Sequence, residues 1–533
     1  MTNAIFYGNR GVFNSVVQNI YLYLPLLTMG LISREMGSGT IRLLYSSPIN
    51  VSSIVLGKFL AIMVLSLLLT FIIALYILIT VCFIPLPDTG MLLSSLLGLF
   101  LLLCAYAAIG IFMSCLTTYQ VVAAVSTFVT IWVLYSVGQL WQAVPFVRSL
   151  TYYISISGRT SKMMQGLITS KDLVYFPVII YLFLALTVYK MKSGMESRSA
   201  WHKAGRYFMI LGSTLVIVYV SSISSLVLYW DTTRNKNNTI VPPAQKILRS
   251  LGDEPLEVTS YTNLLGGYFY YGSPDSYNRI MARWEPYLRF KNSIVLKNVY
   301  YYDSLNHSMD FNKYFPGKSL AQIAAIRAES NDMRLDEFLK PAEIRKIIDL
   351  SQEPDWYVMR LKYKGRTTLL RLFADNEQWP TETEVAAALK RLQNEKLPKI
   401  LFVTGNLERS IFKIGDRDFK GITNLNTFRY SLLNQGFDVD TISLEGRPVP
   451  GGIDALVLAD PKQPLSAPAL QRLQSYTDAG GNLMILGEPG KQSLLNPYLQ
   501  QFCVQMLEGT IFQKSKDLQQ TLVIPALTGA GAG

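Results

Sequence analysis

The chain has 533 residues, half of them hydrophobic and 16% charged, with a net charge of +12 and a mean hydropathy of +0.25. Four cysteines and only two histidines, His202 and His307, exclude a disulfide framework, a zinc spacing and a histidine-rich metal site. Residues 1–230 hold 13 Lys and Arg against 4 Asp and Glu, whereas residues 231–533 hold 36 against 33. The basic excess therefore lies in the apolar half, where it suits anionic lipid headgroups and gives no reason to expect nucleic acid.

Six apolar runs come first: Val12–Ile32, Leu60–Phe83, Met91–Cys115, Val121–Gln139, Leu173–Tyr189 and Tyr207–Trp230. At ~1.5 Å per residue such runs reach roughly 25 to 36 Å, the thickness of a bilayer core. Val12–Ile32 lacks the basic start and small-residue cleavage site of a signal peptide. Trp141, Tyr152 and Tyr153 follow one run, and Trp201, Tyr207 and Trp230 bracket the last, as interfacial aromatics do. In alternate loops, one side collects Arg34, Arg42, Lys58, Lys190, Lys192, Arg198, Lys203 and Arg206, and the other Arg10, Arg148, Arg159, Lys162 and Lys171. The positive-inside rule puts the first set in the cytoplasm, and with it the N-terminus and everything after Trp230 outside.

After Trp230 the composition turns polar, and about 300 residues suffice for one large or two ordinary domains. Strands are predicted at Glu257–Tyr261, Ile294–Tyr301, Trp356–Tyr363 and Thr367–Phe373, with helices at Tyr277–Phe290 and Pro341–Leu350. The tyrosines Tyr268, Tyr270, Tyr271, Tyr300, Tyr301 and Tyr302 are read as sheet packing. Thr381 and Glu384 form a capping-box pattern ahead of Val385, Ala388, Leu389 and Leu392 at helical spacing. Strands at Lys399–Thr404, Asp438–Ser443, Ala455–Ala459 and Asn482–Leu486 then alternate with helices at Thr427–Asn434, closed by Gly436, and Ala467–Ala479, closed by Gly480 and Gly481. That alternation implies a mostly parallel sheet in a flavodoxin-like or amidotransferase-like layer domain.

Chemistry is sparse in the soluble half. Gly487-Glu-Pro-Gly490-Lys491 lacks the first glycine and the final Ser or Thr of a phosphate loop. A cysteine hydrolase needs its nucleophile at a strand-to-helix turn beside a histidine, whereas Cys503 lies within Leu499–Met506 and His307 belongs to the other subdomain. Asp454 and Asp460 flank a strand end and are expected to be solvated loop carboxylates. No catalytic residue, cofactor site or metal site is expected.

The segment Ser33-Arg-Glu35-Met-Gly-Ser-Gly39-Thr40-Ile-Arg42-Leu43-Leu44-Tyr-Ser-Ser-Pro48, continuing to Gly57-Lys58, resembles the cytoplasmic loop of ABC-2-type transporter permeases. Glu35, Gly39, Thr40, Leu43, Leu44 and Pro48 match that pattern, while Arg42 stands where the family carries a second glutamate. The soluble half resembles the auxiliary subunit of gliding-motility-type ABC transporters. Val403-Thr-Gly405-Asn406-Leu-Glu408 keeps the glycine and glutamate of that family's Gly-His-Gly-Glu turn, and Gly480-Gly481 precedes a strand as in the later pattern. Against these families the chain is expected to lack a first span upstream of Met1 and a C-terminal return to the membrane after Thr528-Gly-Ala-Gly-Ala-Gly.

The two resemblances imply a multi-pass α-helical membrane domain followed by an extracytoplasmic α/β region. The expected organisation is a five-span permease over 1–190, a basic cytoplasmic linker over 191–206, a transmembrane helix over 207–230, an α+β subdomain over 231–378 and an α/β auxiliary domain over 379–533. They further imply an ABC transporter subunit of gliding-motility type in the cell inner membrane. Its partners would be a separate ATP-binding subunit, a second permease as homodimer or heterodimer, and membrane lipid. The ATPase-coupling loop would comprise Glu35, Gly39, Thr40, Arg42, Leu43, Leu44, Pro48, Gly57 and Lys58, with Glu35 either meeting the ATPase or pairing with Arg34 or Arg42. The competing reading is a non-transporting anchored binding or scaffold protein.

Overall fold

The computed structural model describes the chain except residues 1–4, 8–10, 141, 143–146, 148–150, 152–153, 196–198, 224–225, 305–310, 352, 354–356, 394–395, 510, 515–518, 520–521 and 524–533. Trp141, Tyr152, Tyr153, His307, Trp356, the Thr528–Gly533 tail and the basic residues Arg10, Arg148 and Arg198 thus lie outside the described residues. The chain divides into two compact units, one made of residues 1–245 and 270–292, the other of 246–269 and 293–533.

The first unit is helical: α1 Val12–Thr28, α2 Ser33–Gly37, α3 Ile41–Ser46, α4 Val51–Phe83, α5 Thr89–Leu116, α6 Gln120–Ser136, α7 Ser157–Met164, α8 Ser170–Ser193, α9 Ala200–Ser221 and α10 Tyr277–Leu288. Five stretches, Val12–Gly37, α4, α5, α8 and Trp201–Ser221, are long and apolar enough to cross a membrane; α6 is apolar but only 17 residues long. The span expected to run to Trp230 stops at Ser221. The Ser221 and Ser222 hydroxyls both donate to the Val218 carbonyl, at 2.9 and 2.8 Å, and so compete with continuation of the helix. Tyr229–Asp231 (β2) instead pairs antiparallel with Leu167–Thr169 (β1). The basic stretch 191–206 is correspondingly helical at both ends, since α8 reaches Ser193 and α9 begins at Ala200.

Helix α5 is the centre of this bundle. Its small residues let neighbours approach closely, as in membrane helix packing generally. A Cβ on Gly98 would stand 2.9 Å from that of Met163, and one on Gly110 would overlap the Thr28 hydroxyl of α1. The Ser94 and Ser95 hydroxyls donate to the Met163 and Met164 carbonyls at 2.7 and 3.0 Å, satisfying the C-terminal end of α7. The Ser114 hydroxyl accepts from the N–H groups of Ile32 and Ser33 at 3.0 and 2.9 Å, and fixes the corner between α1 and α2.

The second unit holds two four-stranded sheets. In the first, β3 Leu256–Asn263 lies parallel to β4 Ile294–Tyr301 and antiparallel to β5 Tyr357–Tyr363, which pairs with β6 Arg366–Arg371. Helices α11 Leu320–Ser330 and α12 Pro341–Ile347 follow β4. Tyr261, Tyr301 and Tyr357 are buried in or beside this sheet, as sheet packing requires, whereas Tyr270 is half exposed. In the second sheet, β7 Lys399–Thr404, β8 Asp438–Ser443, β9 Ala455–Ala459 and β10 Leu483–Leu486 are parallel throughout, in the order β10-β9-β7-β8. The predicted bounds of β4, β7, β8 and β9 agree with those observed. Helix α13 Glu382–Leu392 starts where the capping box puts it, the Thr381 N–H donating to Glu384 Oε2 at 2.6 Å. Helices α14 Ala467–Asp478 and α15 Gln492–Leu499 complete the unit.

The helix expected over Thr427–Asn434 is not formed; the segment is a run of turns. Local side chains take the backbone groups a helix would use: Asn434 Nδ2 donates to the Asn426 and Phe428 carbonyls, both at 2.9 Å. Arg429, almost fully buried, is drawn inward to Asp375 at 2.6 Å and Glu384 at 2.8 Å.

Candidate functional site

The loop joining α1 to α4 is built from two short helices separated by Gly39, whose φ of +75° is a conformation that a side chain would strain. The Thr40 hydroxyl stands 2.9 Å from that of Ser38 and 3.4 Å from the Glu35 carbonyl it donates to, which tightens the turn. Glu35 does not pair with Arg34 or Arg42 as expected. Its Oε1 meets Lys58 Nζ at 2.6 Å, and the same ammonium donates to the Leu31 carbonyl at 2.7 Å. The pair is four-fifths to two-thirds sheltered, with side-chain exposures of 19% for Lys58 and 29% for Glu35. Lys58 thus ties the loop to the start of α4 and the end of α1 at once.

With Glu35 turned inward, another face is left outward. Arg42, Leu43, Pro48 and Gly57 are exposed, Leu43 to 72%, while Leu44 is half-buried and its carbonyl accepts from the Ser47 hydroxyl at 2.7 Å. Ile49 adds a second exposed aliphatic side chain. An apolar pair beside one guanidinium is suited to receiving a protein surface. The sequence supplied Lys58 as a member of the loop but not as Glu35's partner. The signal was present, because Lys58 is the one charge in the 33 residues of α4.

The second expected site, the turn after β7, lies at the C-terminal edge of the parallel sheet. There β7 sits between β8 and β9, so the chain leaves it toward opposite sides. Such a switch point leaves a crevice at the strand ends. Gly405 has φ +131° and Leu407 φ +58°. The Glu408 carboxylate accepts from the Asn406 N–H at 2.7 Å and from its side-chain amide at 3.3 Å, so the turn closes on itself. Asp460, at the end of β9, is not the solvated carboxylate expected. It is 1% exposed, with φ +50°, and Arg409 Nη2 stands 3.6 Å from its Oδ2. Arg409 also donates to Glu488, as does Arg417. Burial raises the Glu488 carboxyl and the two guanidinium groups outweigh it, holding it below its usual range. The carboxylate of Glu488, within the Gly487–Lys491 turn, thus takes up the guanidinium groups of Arg409 and Arg417. Asp454, by contrast, is exposed and accepts from the Lys399 N–H at 2.8 Å. Cys503 is exposed, and no group of His, Cys, Asp and Glu among the described residues is arranged to hold a metal ion.

A bundle of membrane-length helices with a short-helix loop at one end, and a separate unit carrying a parallel sheet, define a multi-pass membrane protein with an appended α/β region. Residues 22–228 match the family model described as ABC-2 family transporter protein, and residues 397–521 the one described as ABC-type uncharacterized transport system. Together the two matches support an ABC transporter membrane subunit. ABC-2 permeases are non-catalytic membrane subunits that work with an ATP-binding subunit. No curated protein and no solved structure matches the chain.

Proposed function

We propose that the chain is the permease and auxiliary subunit of an ABC transporter of gliding-motility type, driven by ATP hydrolysed on a separate subunit that docks on the loop between α1 and α4. The observation that carries the reading is the Glu35–Lys58 tie: a loop fastened to two spans at once moves them when it is moved. Arg42, Leu43, Pro48 and Ile49 form the face offered to the ATPase, and that end of the bundle is cytoplasmic. The α/β region is extracytoplasmic, in a cell inner membrane, and the permease works as a dimer, either with its own copy or with a related chain. Nucleotide-driven closure of the ATPase shifts the loop, and α1 and α4 tilt with it.

The test is copurification of an ATP-binding subunit with this chain from its native membranes. Leu43→Glu places a charge in the centre of the proposed contact and is expected to lower copurified ATPase per mole of chain at least tenfold, with membrane insertion unchanged. Equal capture by wild type and Leu43→Glu overturns the docking face, and absence of any capture by wild type favours an anchored, non-transporting module.

A further inference from the structure

Within the helical unit, a cavity of about 290 Å³ lies between α1, α5, the end of α6 and α7. That is just below the ~300–1,000 Å³ typical of small-molecule sites, enough for a small ligand or a headgroup. Tyr7, Tyr106 and Tyr135 supply aromatic wall, and Asn14, Ser161 and Gln165 supply amide and hydroxyl groups. Among the described lining residues none is charged. The two cations of α7 are engaged elsewhere: Arg159 Nη1 donates to Asp172 at 2.8 Å, and Lys162 Nζ to Glu285 Oε2 at 2.6 Å. A charged ligand would leave water for this space without an opposite charge to meet it, at a cost of several kcal/mol. Ring faces and neutral hydrogen-bonding groups instead fit an uncharged polyol joined to an apolar body.

The α7 wall of the cavity is held by α10. Glu285 takes Lys162 and, at 3.6 Å, Lys171. Asn238 Nδ2 donates to the Gln165 carbonyl at 2.8 Å and its own carbonyl accepts from Arg289 at 2.7 Å. Asn278 donates to the Gly138 carbonyl at 2.7 Å, beside the end of α6. Burial raises the Glu285 carboxyl, and the cations around it outweigh that and hold it below its usual range, so the carboxylate stays ionised at neutral pH.

We propose that this cavity binds the uncharged, hydroxyl-bearing head of an amphiphile, and that the Lys162–Glu285 pair fastens the wall that closes over it. The proposal deepens the permease reading by naming a ligand class, but its test needs no ATPase, so its failure leaves the docking face standing. In a cysteine-free background, Ser161→Cys is inserted in lipid nanodiscs and its reaction with a maleimide is timed. Octyl glucoside below its micellar concentration is expected to slow the reaction at least fivefold, and octyl phosphate, octyltrimethylammonium and octanol to leave it within twofold. Protection by free glucose at the same concentration also supports the site and assigns it to a soluble sugar. Equal protection by all octyl compounds, or protection by none, overturns it. Adding Glu285→Gln, which keeps the side chain's shape, is expected to speed the unprotected reaction at least threefold; an unchanged rate removes the clasp from the proposal.

Discussion

Glu35 shows how a matched residue can be important for a reason other than the one the match suggests. Its carboxylate is bonded inward to Lys58 and holds the loop; in the proposed function its effect on the ATPase is transmitted through the loop's position. A partly sheltered pair of this kind is worth roughly 1 kcal/mol, more than a solvated one and less than a buried one. Glu35→Lys is therefore expected to lower the melting temperature of the purified chain by a few degrees and to reduce ATPase capture. Glu35→Lys combined with Lys58→Glu is expected to restore both in part, because the reversed pair rebuilds the ion pair but not the hydrogen bond from Lys58 to the Leu31 carbonyl. If the double variant captures no better than the single one, Glu35 meets the ATPase directly. The pairing was hidden in the sequence because 23 residues separate the partners, and only the turn at Gly39 and the helix around it bring them together.

At the scale of elements, periodicity and turn chemistry were legible wherever one face of a segment is buried. Ala455–Ala459 needed nothing beyond its apolar run, and Ile294–Tyr301 was carried by its β-branched and aromatic residues on either side of Lys297 and Asn298. Thr427–Asn434 failed for a specific reason: its pattern is helical, but Arg429 points into the unit and Asn434 consumes local carbonyls, and neither use follows from spacing. The turns persist because two carboxylates reward that buried guanidinium. Replacing it by Arg429→Met leaves Glu384 buried without its cation, which is expected to cost about 3 to 5 kcal/mol, read as a shift in the chemical unfolding midpoint. The Asp375 carboxyl is held below its ordinary range, first by its hydrogen bond from Arg429. Its contribution is therefore present above the unfolded carboxyl's value, near pH 4, and fades as pH falls through the lower folded value. The wild type should lose stability more steeply below about pH 4 than Arg429→Met does, and parallel slopes would remove Asp375 from the account.

For the whole molecule, hydropathy found the five membrane-length helices among the described residues, but it counted as a sixth span the run whose helix, α6, is only 17 residues long, and it misplaced the end of the last one, because an apolar run says nothing about serines that turn their hydroxyls back on the helix. The candidate loop was legible by its motif, whereas the buried Asp460 and the Glu285 clasp were not, since each depends on residues gathered from distant segments. Orientation is open to direct measurement. In the proposed topology, with native cysteines replaced, Ser46→Cys is shielded in intact cells from an impermeant thiol reagent, and Ser330→Cys reacts once the outer envelope is permeable. Equal labelling at both positions would sink the assignment of sides.

The helix that connects β3 to β4 is counted with the helical unit, not with the sheet whose strands it joins. The polypeptide therefore passes between the two units three times, at 245, 269 and 292. No single cut yields either unit whole. The two units are therefore interleaved along the chain, and neither is a simple N-terminal or C-terminal portion of it. During synthesis it also sets an order. Strand β3 is made first and its parallel partner β4 only after α10, whose Glu285 meets Lys162 and Lys171 from earlier in the chain.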